Sequence, residues 1–332
     1  MNDMLINNWQ NKEKIEKKPI RYGFGEAILK LGKKHNDIVA LCADLISSVR
    51  LTEFSEKYPK RFFQMGVAEQ NMIGAAAGLA ISGWVPFAAT FTTFLPGRCL
   101  DQIRVQVCIN NLDVKLVGSH AGLSHQADGA TAQGTEDIAI MRSLPKMSVV
   151  YPADFNQMLK AVRAVYKHSG PVYLRMTREP TPVFIKKQAE FKFGKAQVLK
   201  KGKDVTIIGA GPLLYEALLA SEQAKSKGID CEVINLHTIK PIDAKTIADS
   251  VKKTGCIVSV EDHQIRGGIG SAIAEAIVKD YPVPMEMIGL DNKFGRTARN
   301  YQLLLKEYGL TFPFILQAIK KVLLRKDSVK KN

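Results

Sequence analysis

One acid stands out in residues 61–80, RFFQMGVAEQNMIGAAAGLA. Glu69 follows a short apolar run, Phe62-Phe63-Gln64-Met65, and a breaking glycine, Gly66. Behind it Ile73, Ala76, Ala77 and Ala80 recur at helical spacing. The pattern predicts a buried strand, a turn, and a helix with Glu69 in its first turn. In an open parallel sheet ligands bind beyond the carboxyl ends of the strands, where a catalytic carboxylate is useful. An acid in a first turn also complements the helix dipole, worth about 0.3–1 kcal/mol, so Glu69 alone decides nothing. A second reactive stretch is the loop at 119–134, rich in Gly, Ser and His. It carries His120, His125 and Asp128 and lies between a strand and a helix; long loops inside compact domains tend to be functional or disordered.

The elements that must position these groups alternate. Strands are expected at 38–42, 62–65, 84–90, 114–118, 148–151 and 172–176, with helices at 25–34, 51–57, 98–110, 136–143 and 155–167 between them. Such alternation implies a parallel sheet covered on both faces. Residues 179–203, with Pro180, Pro182 and several lysines, read as a linker. A second alternation follows: strands at 205–209, 231–235 and 256–260, helices to 227, from 243 and from 270, then helices near Tyr301 and Phe314. The expected fold class is α/β, with two doubly wound domains, each built on a mainly parallel sheet. The expected divisions are a basic tail at 1–19, a first domain at 20–180, a linker at 181–203 and a second domain at 204–332.

Composition narrows the rest. A length of 332 residues suits about two domains. The uncharged run 70–97 is long enough for a membrane span, but Gly78, Gly83, Pro86 and Pro96 interrupt it, so it reads as helix, turn and strand. The first twenty residues lack the apolar segment and cleavage site of a secretory signal. Cys42, Cys99, Cys108, Cys231 and Cys256 form no CxxC pair, which argues against a disulfide framework or zinc site and for a reducing, cytoplasmic setting. The net charge of +15 lies partly in basic ends, expected to be solvated, and otherwise suits anionic substrates or an acidic partner. No nucleic-acid motif is present. Gly209-Ala210-Gly211 lacks the third glycine of a dinucleotide fingerprint, Leu214 standing there, and reads as a plain tight turn. Gly267-Gly268-Ile269-Gly270-Ser271 could offer amides to an anion, though tight helix–strand packing explains it as well.

Taken together, Gly66-Val67-Ala68-Glu69-Gln70-Asn71, Thr90-Phe91-Thr92-Thr93-Phe94, Gly118-Ser119-His120-Ala121-Gly122, Asp128-Gly129 and Glu136-Asp137-Ile138-Ala139 stand in an order and spacing that resembles the C-terminal half of transketolase. The resemblance spans residues 21–309 and implies a pyrimidine-binding domain followed by a transketolase C-terminal domain. It implies thiamine diphosphate as cofactor. In that family the matching glutamate bonds the aminopyrimidine ring and favours its imino tautomer, so Glu69 is expected to carry or share a proton when the cofactor is bound. Phe91 and Phe94 match aromatics that pack around that ring. Arg21, Ser48, His120 and Arg178 match groups that bind a substrate phosphate, for which a guanidinium fork is suited. Asp44 and Asp128 match carboxylates that hold hydroxyls, Asp44 being counted also with the cofactor. His120 joins Glu69 as a catalytic candidate.

The resemblance is incomplete in two places. Many transketolases read Gly-Glu-Asp-Gly-Pro-Thr-His-Gln where this chain reads Gln126-Ala127-Asp128-Gly129-Ala130-Thr131-Ala132-Gln133. Ala132 therefore replaces a histidine, for which His125 or Gln133 could compensate. The register at 95–101 is open, which leaves Gly97 and Arg98 without a role. The Gly-Asp-Gly motif and downstream Asn that grip diphosphate and metal are not found in this sequence. The expectation is a split transketolase: an N-terminal diphosphate-binding subunit holds Mg2+ or Ca2+, the pair assembles as a heterotetramer, and sugar phosphates are the substrates. The alternatives are a different thiamine diphosphate enzyme of this architecture, such as a 2-oxo acid dehydrogenase beta subunit, a deoxyxylulose phosphate synthase relative or a specialised transketolase, and a non-catalytic stabilising chain. The phosphate set weighs against the dehydrogenase, and an intact Glu69 against the stabiliser.

Overall fold

Runs such as Ile38–Cys42 and Val205–Gly209 are buried at every position, which requires cover on both faces of the sheet. In the computed structural model, which describes residues 4–329, they lie in two such sheets. The strands are β1 (Lys17–Pro19), β2 (Ile38–Cys42), β3 (Phe62–Gln64), β4 (Val85–Phe91), β5 (Lys115–Ser119), β6 (Ser148–Val150), β7 (Val172–Arg175), β8 (Pro180–Pro182), β9 (Gln197–Lys200), β10 (Val205–Gly209), β11 (Cys231–Asn235), β12 (Thr238–Lys240), β13 (Ile257–Gln264) and β14 (Met285–Leu290). Among the described residues the first sheet runs β12-β6-β7-β5-β4-β2-β3 and the second β14-β13-β10-β11-β9. Within these two sheets pairing is parallel except at β12 against β6 and β9 against β11, and β1 and β8 form a separate antiparallel pair.

Alternation along each strand feeds two helix layers. Ile38, Ala40 and Cys42 of β2 pack with Phe24 and Ile28 of the helix Ile20–Lys34 and with Met158 and Val162 of Phe155–Lys167. Val39 and Leu41 face the other way, toward Ile73 and Ala76 of the helix Glu69–Ile81. In the second unit Ile207 and Val258 meet Leu218 of Leu214–Lys225 and Ile319 of Phe312–Val329. Ile208 and Ile257 meet Ile247 of Ala244–Thr254 and Ile273 of Ile269–Ile277. This last layer is one apolar cluster with the inner face of the first unit, so a single core runs through both. With each buried Leu or Ile contributing about 1.5–3 kcal/mol, the two units are held as one body.

Several expectations need correcting. The stretch 1–19, expected as a solvated tail, is docked from residue 4 onward. Leu5, Trp9 and Ile15 are buried in the second unit's core, and β1 pairs with β8. Tyr215 donates to the Trp9 carbonyl at 2.9 Å, and the Ile6 amide to Phe184 at 2.9 Å. Three apolar residues spaced among Asn and Lys leave no periodic signal, yet burying them outweighs solvation of their neighbours. The basic C-terminal run continues the helix Phe312–Val329, where Lys321 and Arg325 hold Glu286 at 2.8 and 2.6 Å; residues 1–3 and 330–332 of the two basic ends lie outside the described residues. The stretch 181–203 carries β9 and the buried Phe184 and Ile185. The strand before Gly66 is an edge, not a buried strand: Phe63 and Gln64 are exposed. The helix expected at 98–110 begins earlier, as Leu95–Gln102, and widens to a π-helix at Ile103–Cys108. All five cysteines are buried. No helix of the described residues is long and apolar enough to cross a membrane.

Candidate active site

Parallel register places the carboxyl ends of β2, β3, β4, β5 and β7 along one edge, Cys42 beside Gln64 and Ala89, Phe91 beside Ser119, Gly118 beside Arg175. The chain leaves β2 for β3 on one side and returns to β4 on the other, so the strand order reverses between β2 and β4. That reversal opens a crevice for ligands. Beyond β2 lie Asp44 and Ser48, beyond β3 Glu69, at and after β4 Phe91 and Phe94, beyond β5 His120, and beyond β7 Arg178.

Glu69 begins its helix and is 4% exposed, anchored by the buried Met72 and Ile73 behind it. Both carboxylate oxygens accept from Arg98 Nη1, at 3.2 and 3.1 Å. The Arg98 guanidinium lies 4.3 Å from the Phe94 ring centroid. Phe94 stacks on Phe91 at 5.5 Å, and Phe91 touches the His120 and His125 rings at 4.0 and 5.1 Å. His120 sits at φ 61°, a left-handed backbone that turns its ring back into the crevice. Its Nδ1 is 2.8 Å from Ser119 Oγ. Burial, helped by His125, Arg21 and Arg178, pushes its pKa down to about 2, so the ring is neutral at any working pH. Burial also lowers His125, against the pull of Asp128, whose Oδ2 is 3.1 Å from His125 Nε2.

The cationic end is next door. Arg21 donates to the Ser48 and Arg178 carbonyls at 2.8 and 3.3 Å, and its pKa is lowered, first by burial and also by Arg178 and Arg50. Arg178 pairs with Glu179, and its amide donates to Ser124 Oγ at 3.0 Å. Thus Glu69, Phe94, Phe91, His120, Asp128, Arg178 and Arg21 fall on one run of contacts. Asp44 and Ser48 share the edge, and Ser48 joins that run through its carbonyl alone; among the described residues neither side chain is hydrogen-bonded to it. Asp44 is exposed, and its amide donates to Gln64 Oε1 at 2.7 Å.

Arg98 is the residue that sequence reasoning passed over. Its signal was present: Pro96 marks a first helical turn, and four residues beyond Phe94 a helix returns to the same face. Arg50, 4.0 Å over the Tyr22 ring, was also missed. Of the two groups that could stand in for the missing histidine, Gln133 is committed. Its amide donates to the His125 carbonyl at 3.2 Å and to Arg296 at 3.1 Å. Each keeps one buried atom without a hydrogen-bond partner, His125 Nδ1 and Gln133 Oε1, but the His125 ring also lies against Phe91 and His120 in the crevice.

The second sheet has a similar reversal, between β10 and β13, and there the crevice is full. Arg175 of β7 enters it, fully buried, donating to Asp262 Oδ1 at 2.7 Å and Asp137 Oδ2 at 2.8 Å. Tyr151 donates to Asp262 at 3.1 Å and lies under the Arg175 guanidinium, 4.4 Å away. Gly211, at φ 68°, and Gly122, at φ 60°, pass so close that a Cβ would overlap Tyr151 and Asp262 respectively. The glycine run at 267–271 does hold a carboxyl group, but the chain's own: Glu261 accepts from the Ile269 and Gly270 amides at 2.6 and 2.9 Å. The second unit also braces the reactive loop. Ala298 donates to Gln126 at 3.0 Å and Gln264 to Thr135 at 2.8 Å.

With this geometry in hand, comparison with known proteins is direct. A model of the transketolase pyrimidine binding domain matches residues 16–183, and one of the transketolase C-terminal domain matches residues 194–315. The 6-deoxy-6-sulfo-D-fructose transketolase subunit SqwH of Clostridium sp. strain MSTE9 is 40% identical, over 95% of this chain and 97% of that protein. The putative transketolase C-terminal section of Methanocaldococcus jannaschii is 43% identical, over 88% of this chain and 92% of that protein. Among solved structures, a split gene transketolase described as an inactive beta4 tetramer superposes with TM-score 0.86 at 39% identity, over 93% of this chain and 99% of that one.

Proposed function

The chain belongs to the transketolase family, and from that premise we propose that it is one subunit of a two-chain transketolase. It transfers a two-carbon ketol unit from a ketose phosphate to an aldose phosphate with thiamine diphosphate. The observation that carries the reading is the open strand-end crevice with a buried acid and stacked phenyl rings at one end and a guanidinium pair at the other. The donor set fits the cofactor's ring: Glu69 offers a carboxylate edge, Phe91 and Phe94 offer flat apolar faces, and Asp44 lies on the same rim. When bound, the cofactor supplies the carbon nucleophile. Glu69 holds a proton at the ring's edge. Neutral His120 donates or accepts without bringing a charge into the crevice, and His125 with Asp128 handles a substrate hydroxyl. Arg21, Arg178, Ser48 and His120 receive the anionic terminus.

An N-terminal diphosphate-binding subunit completes the site and holds Mg2+ or Ca2+, two of each chain forming the assembly. Large apolar side chains exposed along the helical segments that carry Glu69 and Arg98 support a docking partner: Val67 and Ile81, each more than 70% exposed, with Leu100, Val105 and Ile109. The similar chain described as an inactive beta4 tetramer is consistent with a subunit that needs its partner. A second reading concerns the substrate's end. The relative named for 6-deoxy-6-sulfo-D-fructose favours a sulfonate in place of phosphate, which the same cations would hold.

Steady-state transfer by the reconstituted pair tests the proposal, with phosphorylated and sulfonated ketoses compared side by side. Glu69→Ala is expected to lower the rate by about 100-fold or more. Full activity in that variant would remove Glu69 from the chemistry.

A further inference from the structure

Arg98 sits where the cofactor's ring is expected to bind. Its Nη1 reaches both Glu69 oxygens, at 3.2 and 3.1 Å, while its plane lies 4.3 Å over the Phe94 ring. One guanidinium therefore uses both features that a flat, N–H-bearing ring would use, an acceptor edge and an aromatic face. The two partners are held unequally. The Glu69 side chain is 5% exposed and that of Arg98 51% exposed. Glu69 is fixed by its helix, and the Arg98 backbone is held by Gln70 Nε2 donating to its carbonyl at 2.8 Å. If the contact opens, the long arginine side chain is the part that moves, outward to water.

We propose that Arg98 gates Glu69: it competes with the cofactor's ring for the same carboxylate edge and swings out when the ring enters. The gate rests on the thiamine diphosphate reading above. Its physical sense is that a buried carboxylate stripped of every partner is expensive. Arg98 supplies one partner until the ring supplies another. The consequence is an apparent affinity reduced by the fraction of chains in which the gate is closed.

Arg98→Met tests this, since it keeps an apolar stem over Phe94 and removes the donors. The readout is the dissociation constant of thiamine diphosphate for the reconstituted pair with magnesium, by titration calorimetry. The variant is expected to bind about fivefold tighter, the scale of a half-exposed ion pair. Arg98→Lys, able to keep one donor, is expected between the two. Unchanged or weaker binding by Arg98→Met, with the wild-type pair binding normally, would overturn the gate and leave Arg98 as a fixed support of Glu69. A wild-type pair that takes up no thiamine diphosphate would remove the cofactor reading, and the gate with it.

Discussion

The molecule has two crevices of one kind, each where the order of a doubly wound sheet reverses, and they are used oppositely. At β10/β13 the opening is closed by the chain itself: Arg175, Tyr151 and Asp262 fill it, and Glu261 takes the amides of the following helix. At β2/β4 the acid, the phenyl rings and the guanidinium groups remain at an edge with exposed neighbours such as Asp44 and Val67. The position that one unit keeps for ligands, the other uses to dock its neighbour. The docking in turn braces the loop at 119–134, through Ala298 on Gln126 and Gln264 on Thr135. The second unit thus acts on the first crevice without lining it.

If the filled crevice is structural, breaking it should cost stability. Asp262→Ala leaves Arg175 buried with one of its two carboxylates gone. Removing one partner from a buried ionic set typically costs about 3–5 kcal/mol. Denaturant unfolding should show a loss of that size. A loss below about 1 kcal/mol would mean that water enters readily and the two crevices are less different than described.

The open crevice should respond the other way. Arg178 is partly exposed and its side chain pairs only with its neighbour Glu179 among the described residues. Arg178→Met should leave unfolding within about 0.5 kcal/mol. It should raise KM for the phosphorylated substrate about 10- to 100-fold, the worth of a charge-assisted hydrogen bond. An unchanged KM, measured on the reconstituted pair, would take Arg178 out of anion binding.

The comparison also explains what the sequence could tell. Phe155–Lys167, Val205–Gly209 and Cys231–Asn235 stand at their predicted bounds, because continuous apolar runs and helical spacing are local signals. The groups of the open crevice were legible as positions after strand ends, since parallel strands must bring those ends to one edge. The filled crevice was not. Arg175 in a strand pattern looks like an edge residue, and only Asp137 and Asp262, far along the chain, reveal it as buried. β12 is three residues long and joins the other unit's sheet, a pairing that no local pattern encodes. The Glu69–Arg98 contact depended on where a helix begins, and an offset of one residue in that start turns a side chain by about 100°.

The smallest effect separates burial from chemistry within the open crevice. His120 is buried there with its pKa lowered to about 2, against an ordinary 6.5. Below pH 6.5 the unfolded chain takes up a proton at this residue that the folded chain does not. Stability from this group is therefore complete above 6.5 and is lost as pH falls toward the folded value. At pH 5 the loss is at most about 2 kcal/mol relative to pH 7. His120→Asn, a residue that tolerates positive φ, should flatten the slope of unfolding free energy between pH 7 and pH 5 while lowering its level. If the slope is unchanged, His120 titrates alike in both states, and the crevice around it is wetter than its contacts with Phe91 and His125 imply.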